Sequence, residues 1–265
     1  MTPCLLVDMD VVQRNATKML NTCKGLGVKL RCNMKTHKSR EIGRIQTAGS
    51  RRCISVSTLK EAEYFADGGF DDILYTSMLT SDKIGRAMAL LKKLNSFHVM
   101  LDNEAHLQVL EQHPLPDHQR WSAFLKVDTG GMRDVQQTII GSCAQSEIAV
   151  RVATRVKGHC LKRNQLLIDA GFLAMSWDGF SAFDGALGGS FCRVDGHDNL
   201  KLVKMSQEVG HIEPRSGSLD FASHPIGSLL FLLPYHACAT ACQFTEFYGH
   251  SGDQITNVMI PCKGW

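Results

Sequence analysis

Short strands and helices alternate through the first half of this chain and then stop, and that interrupted rhythm limits the available folds more than any other feature. From Lys29 to Lys35 the residues alternate in character. A period of two puts Leu30, Cys32 and Met34 on one face and Arg31, Asn33 and Lys35 on the other, which predicts a strand. Behind it, Ile42 and Ile45 three apart, with Thr36 or Ser39 available as a cap, predict a helix over Ser39–Thr47. The unit repeats as strand Cys53–Ser57 with helix Leu59–Ala66, strand Ile73–Ser77 with helix Ser81–Leu94, and strand Phe97–Leu101 with helix Glu104–Gln112. Ala123–Val127 reads as a further strand. Gly49, Gly68-Gly69 and Asn95 stand where helices must end. Such alternation implies parallel β/α units. A strand Leu5–Val7 and an amphipathic helix Val11–Cys23 precede them.

After Asp128-Thr129-Gly130-Gly131 the texture changes. Ile148–Val156 alternates around Arg151 and Arg155, Gln165–Ile168 and Lys201–Met205 are strand-like, and turn residues recur between them. The expected organisation is a barrel-type domain over residues 10–133 and an all-β domain over 134–265, which the strand within residues 1–9 is free to join. A closed parallel barrel takes eight units and about 250 residues. Five candidate barrel strands precede residue 134. A doubly wound sheet is the other parallel option, but helices on both faces require nearly continuous apolar strands. The polar face carrying Arg31, Asn33 and Lys35 argues against it. The chain reads as a (β/α) barrel with about five of eight units present, followed by a C-terminal β domain.

With 265 residues, net charge +3 and 44% hydrophobic residues, the composition is that of an ordinary globular protein. The basic cluster from Lys29 to Lys38 lacks interleaved aromatics, so no nucleic acid is expected as partner. The first residues turn acidic at Asp8 without a basic leader, and the apolar stretch from 226 to 233 is too short for a bilayer. Ten cysteines without an export signal predict reduced thiols and a cytoplasmic location, and no Cys-x-x-Cys pair suggests a zinc ribbon.

Lys35 is the first candidate for chemistry. It falls where a strand ends and a helix is about to begin, the end that faces the reaction site in β/α barrels. Held near Arg31, His37 and Lys38, its amine is expected to lose a proton more easily than a free lysine and so to suit Schiff-base formation. A solvated lysine in a basic loop is the plainer alternative.

Met34-Lys35-Thr36-His37-Lys38, the opening Thr2-Pro3-Cys4-Leu5-Leu6-Val7-Asp8 and the segment Pro234-Tyr235-His236-Ala237-Cys238-Ala239-Thr240 together resemble eukaryotic D-serine dehydratase. Arg163 to Gly171, Ser206-Gln207-Glu208 and the terminal Lys263-Gly264-Trp265 extend the likeness over nearly the whole chain. The resemblance implies the alanine racemase type fold III of pyridoxal-phosphate enzymes, shared with D-threonine aldolases. It implies Lys35 as the lysine that holds pyridoxal 5'-phosphate and then acts as base at Cα, and His236 and Cys238 as zinc (Zn2+) ligands. It implies D-serine as substrate, converted to pyruvate and ammonia, and a homodimer. The zinc pair also has a chemical argument. His-x-Cys on an extended segment places imidazole and thiolate on one face, and two protein ligands leave room for water or a substrate oxygen.

One departure from the family is marked. Val127-Asp128-Thr129-Gly130 is followed almost at once by Gly131-Met132-Arg133-Asp134, where the family continues its barrel and carries its cofactor-ring tyrosines and phosphate loop. Gly130-Gly131 is a lone glycine pair, and no phosphate motif replaces what is lost. A D-threonine aldolase type of lyase, possible with D-threonine as substrate, and a truncated, non-catalytic product of a dehydratase gene are therefore the alternatives. His98, His106, His113, His118 and His159 lack ligand spacing and read as structural or solvated.

Overall fold

The computed structural model describes residues 2–116, 119–125, 134–180 and 187–265. Val127 to Arg133, where the rhythm was expected to break, and His118 lie outside them. The chain opens with strand β1 (Cys4–Asp8) and helix α1 (Met9–Gly25). It divides into two compact units, residues 13–130 with 261–265 and residues 1–12 with 131–260.

In the first of these units β2 (Cys32–Asn33), α2 (Arg40–Gln46), β3 (Ile54–Val56), α3 (Leu59–Asp67), β4 (Asp72–Met78), α4 (Ile84–Lys93), β5 (Ser96–Leu101), α5 (Glu104–Glu111) and β6 (Ala123–Leu125) follow in order. The strands form one five-stranded sheet in sequence order, and every neighbouring pair is parallel. The β/α rhythm thus builds the start of a barrel wall. Ile54, Val56, Ile73 and Val99 are buried beneath Ala62, Phe65 and Phe70. Phe65 meets Phe70 edge-on with centroids 5.1 Å apart. The ordered part of the predicted Lys29–Lys35 strand is shorter than its alternation suggested. Cys32 and Met34 donate to Cys53 and Ser55 at 2.9 Å, and the chain then turns as Lys38 N–H reaches back to the Met34 carbonyl at 2.8 Å. Cys32 and Met34 still point inward, as a period of two requires.

The second unit is a mostly antiparallel nine-stranded sheet built on β1, β7 (Val150–Cys160), β8 (Gln165–Ile168), β9 (Cys192–Val194), β10 (Leu200–Met205), β11 (Gly210–Pro214), β12 (Leu229–Pro234), β13 (Phe247–Ser251) and β14 (Gln254–Met259). Strand β1 lies parallel to β13, with Leu5 opposite Phe247, and antiparallel to β7, with Leu5 opposite Val152. The long β7 also pairs with β12 and, past an irregularity at Val156, with β8. Asn164 makes the β7–β8 turn in the left-handed region, φ 53, where Asn is among the more tolerant residues. Among the described residues the predicted all-β character is interrupted by the α-helices α6 (Val135–Ile139) and α7 (Ala237–Ala241) and by short 3-10 turns. Among the described residues no helix is long and apolar enough to cross a membrane.

Candidate active site

Lys35 sits in the turn after β2, between the buried Met34 and the α2 cap. Its side chain is exposed, and its backbone N–H donates to Asn33 Oδ1 at 2.8 Å. The next residues are fixed one by one. Ser39 N–H donates to His37 Nδ1 at 3.0 Å, so the proton is assigned to Nε2, which faces Gln46 Oε1 at 3.0 Å. Burial pushes His37 down to about 4, so at neutral pH it carries no charge. Lys38, in the left-handed region at φ 46, pairs with the fully buried Glu61 at 2.9 Å. Arg31 pairs with Asp72 at 2.8 Å. The cluster of cations expected around Lys35 is therefore one neutral ring and two neutralised charges.

A phosphate grip is harder to find in this unit. Helix N-termini are natural anion sites, but α2, α3 and α5 are capped by Ser39, Thr58 and Asn103, which accept from Ile42, Glu61 and His106 N–H groups, and α4, which has no side-chain cap, follows Lys83 with no glycine-rich loop before it. Among the described residues the lysine fits covalent attachment of pyridoxal phosphate, and the glycine-rich cradle has no counterpart.

The structure brings His236 and Cys238 together, though not on the extended segment expected from their spacing. His236 has extended torsions, φ −122 and ψ 103, and caps α7, while Cys238 already lies in that helix. The chain bends there because Asp134 Oδ2 accepts from Ala237 N–H at 3.0 Å and Thr240 N–H reaches the His236 carbonyl at 3.2 Å. Asp134 is buried, caps α6 through Gln137 N–H at 3.2 Å, and burial raises its pKa. His236 Nε2 lies 2.5 Å from Cys238 Sγ, and Nδ1 lies 2.7 Å from Asp178 Oδ2. The contact with Cys238 is the largest influence that pushes His236 up to about 9, with burial opposing it and Asp178 assisting.

That donor set fits zinc. Imidazole nitrogen and thiolate sulfur bind it at about 2.0–2.1 and 2.3 Å, and a carboxylate on the other ring nitrogen leaves Nε2 as the ligating atom. The two donors already face each other. Among the described residues no preset group of three or more His, Cys, Asp or Glu side chains exists, which leaves two protein ligands.

Sequence reasoning missed Asp178 and Asp134. Asp178 stands 58 residues from His236, too far for any spacing rule, and only the turn signal of Trp177-Asp178-Gly179 marked the place. His98, His106, His113 and His159 are held by Ser122, Asp102, the Val109 carbonyl and the His224 carbonyl, in keeping with structural roles.

Residues 7–151 match the family model described as "Alanine racemase, N-terminal domain", more than half of the chain. The chain belongs to that family. Residues 149–250 of this racemase-family chain also match the model described as "Putative serine dehydratase domain". D-serine dehydratase of Dictyostelium discoideum is 26% identical, with 100% of this chain and 97% of the relative covered. That alignment runs over 384 positions against 265 residues, so the relative carries segments with no counterpart here. An alanine racemase-like protein from Idiomarina loihiensis shares the fold with a TM-score of 0.88 at 24% identity, covering 100% of this chain and 98% of that one. D-threo-3-hydroxyaspartate dehydratase of Delftia is 24% identical over 100% of this chain and 98% of its own. Two variants of that enzyme superpose with TM-scores of 0.89 and 0.88, covering 100% of this chain and 96% and 98% of theirs at 22% identity. They replace a histidine and a cysteine two positions apart, and the cysteine variant is in the metal-free form.

Proposed function

We propose that this chain is a D-serine ammonia-lyase type of enzyme, dependent on pyridoxal phosphate and zinc, that converts D-serine to pyruvate and ammonia. The reading rests above all on His236 and Cys238, an imidazole and a thiol in contact with the spacing of the two residues replaced in the Delftia variants. The names of the relatives that align with the whole chain support it. Lys35 would hold the cofactor covalently and, once displaced by substrate, take the proton from Cα. His236 and Cys238 would hold the metal, with the open positions left for the substrate hydroxyl. When bound, pyridoxal phosphate supplies an electron sink for the carbanion at Cα, and zinc supplies a Lewis acid for the departing hydroxyl. The cofactor function is assigned to residues 10–133, the metal to residues 134–265. A homodimer in the cytosol, its ten cysteines without a disulfide, completes the proposal.

Two other readings are kept because an observation favours each. The shared fold admits a D-threonine aldolase, against which the soft sulfur ligand weighs toward zinc and elimination. The relative's unmatched segments and the missing cradle favour a non-catalytic product that keeps its metal pair. Incubation with D-serine, D-threonine and D-threo-3-hydroxyaspartate separates them. Pyruvate from D-serine supports the proposal, glycine and acetaldehyde from D-threonine support the aldolase, and turnover of none supports the non-catalytic product. Borohydride reduction with added pyridoxal phosphate, followed by peptide mass analysis, should fix the cofactor on Lys35 and nowhere in Lys35→Ala.

A further inference from the structure

The metal reading names two ligands and leaves open what decides which imidazole nitrogen faces the sulfur. A histidine ring flips readily about its last torsion, and each nitrogen is a competent ligand. In this chain one carboxylate makes the choice. Asp178 Oδ2 takes Nδ1 at 2.7 Å and leaves Nε2 directed at Cys238 Sγ, 2.5 Å away. The contact is not one that burial demands. The His236 side chain is 35% exposed and that of Asp178 48%, so water alone could satisfy Nδ1. A carboxylate at that position therefore selects an orientation and does not rescue a stranded donor.

The chain also spends conformational freedom to put Asp178 there. Gly179, the next residue, has φ +102, which side chains other than glycine's rarely adopt, and a Cβ on it would stand 2.6 Å from Cγ of Tyr235. Tyr235 immediately precedes His236. The turn carrying Asp178 thus closes directly over the ring beside the metal pair, and only a glycine lets it approach so near.

We propose that Asp178 is the positioning residue of the His236–Cys238 metal pair, and that Gly179 is required because it lets the Asp178 turn close on Tyr235. The proposal rests on the zinc reading given above. Asp178 touches no reacting atom in it. It fixes the tautomer and the ring orientation so that the ion meets a preset nitrogen. Partners of this kind typically contribute 10–100-fold to metal affinity.

The test is zinc affinity of the full chain, measured by chelator competition without substrate or pyridoxal phosphate. Asp178→Ala should weaken zinc binding about 10–100-fold. Asp178→Asn, which keeps an accepting oxygen but no charge, should fall between it and the unmodified chain. Gly179→Ala should weaken binding with Asp178 still present, and the double variant should lose less than the product of the two single losses. Cobalt substitution gives a second readout, since loss of the fixed orientation should shift the sulfur-to-cobalt and d–d bands in Asp178→Ala. Asp198→Asn, an exposed carboxylate of the same unit, should change neither. Unaltered zinc affinity in Asp178→Ala, with Cys238→Ala devoid of zinc, overturns the positioning role. If Asp178→Ala fails to fold by circular dichroism, unaltered affinity in Asp178→Asn does the same. Unaltered affinity in Gly179→Ala overturns the requirement for glycine. Full zinc binding in both His236→Ala and Cys238→Ala overturns the metal reading itself, a result distinct from all of these.

Discussion

His37 shows how one residue beside Lys35 acts through the charge it does not carry. Its ring accepts from Ser39 N–H and faces Gln46, and burial holds its pKa at about 4 against an ordinary 6.5. Between those values the unfolded chain takes up a proton that the folded ring refuses. Stability from this residue is therefore present above about pH 6.5 and is lost as pH falls toward about 4. His37→Gln gives up its two hydrogen bonds and should be less stable at pH 7 by roughly 1–3 kcal/mol. The variant has no proton to refuse, so the difference should shrink at pH 5.5 and again at pH 4.5. Urea denaturation of both proteins at the three pH values measures it, and a difference that stays constant would remove the neutral ring from the account. The Lys35 turn would lose its shape with it, since Ser39 N–H is held by that ring.

The same turn is tied down at the level of the elements by α3. Glu61, three residues past the cap Thr58, accepts from Ser57 N–H at 3.0 Å and from Lys38 at 2.9 Å with its side chain fully buried. Glu61→Ala would leave Ser57 N–H without its acceptor and Lys38 without its partner, at a cost of about 2 kcal/mol. Lys38 retains partial access to water, so the loss should stay below that of a wholly buried broken pair. A thermal melt should show it, and Glu61→Gln should recover part of it. Legibility from sequence follows the same division between local and distant causes. Gln165–Ile168 was readable to the residue because its apolar run and the turn-forming Asn164 before it lie next to each other on the chain. The β/α rhythm was readable for the same reason, and Ser39 was one of the two caps it offered. The Lys29–Lys35 strand was over-extended because nothing in its alternation reports that β2, among the described residues, is an edge strand paired only with β3. Helix α7 was missed because its bend depends on Asp134, 103 residues away from Ala237. His236 and Cys238 could be named from their motif, but Asp178 could be found only in three dimensions.

At the scale of the whole molecule the two units are unequally provided for. The parallel sheet stops at β6, whose residues Ala123, Phe124 and Leu125 are all exposed, Leu125 at 76%, and which pairs only with β5 among the described residues. An apolar strand edge of this kind recruits other chains. The weight-average mass measured by light scattering should therefore rise with protein concentration, and Leu125→Lys should reduce that rise without altering the circular dichroism spectrum. The groups proposed to hold and position the metal, Asp134, Asp178, His236 and Cys238, all lie within residues 131–260. Metal binding and cofactor binding should then separate. Purified chain should retain close to one zinc per molecule by elemental analysis whether or not pyridoxal phosphate is added, and Lys35→Ala should leave that value unchanged. Cys238→Ala should abolish it and leave borohydride trapping at Lys35 as it was. Zinc that appears only after pyridoxal phosphate is supplied would mean that the donors in residues 131–260 are not sufficient on their own.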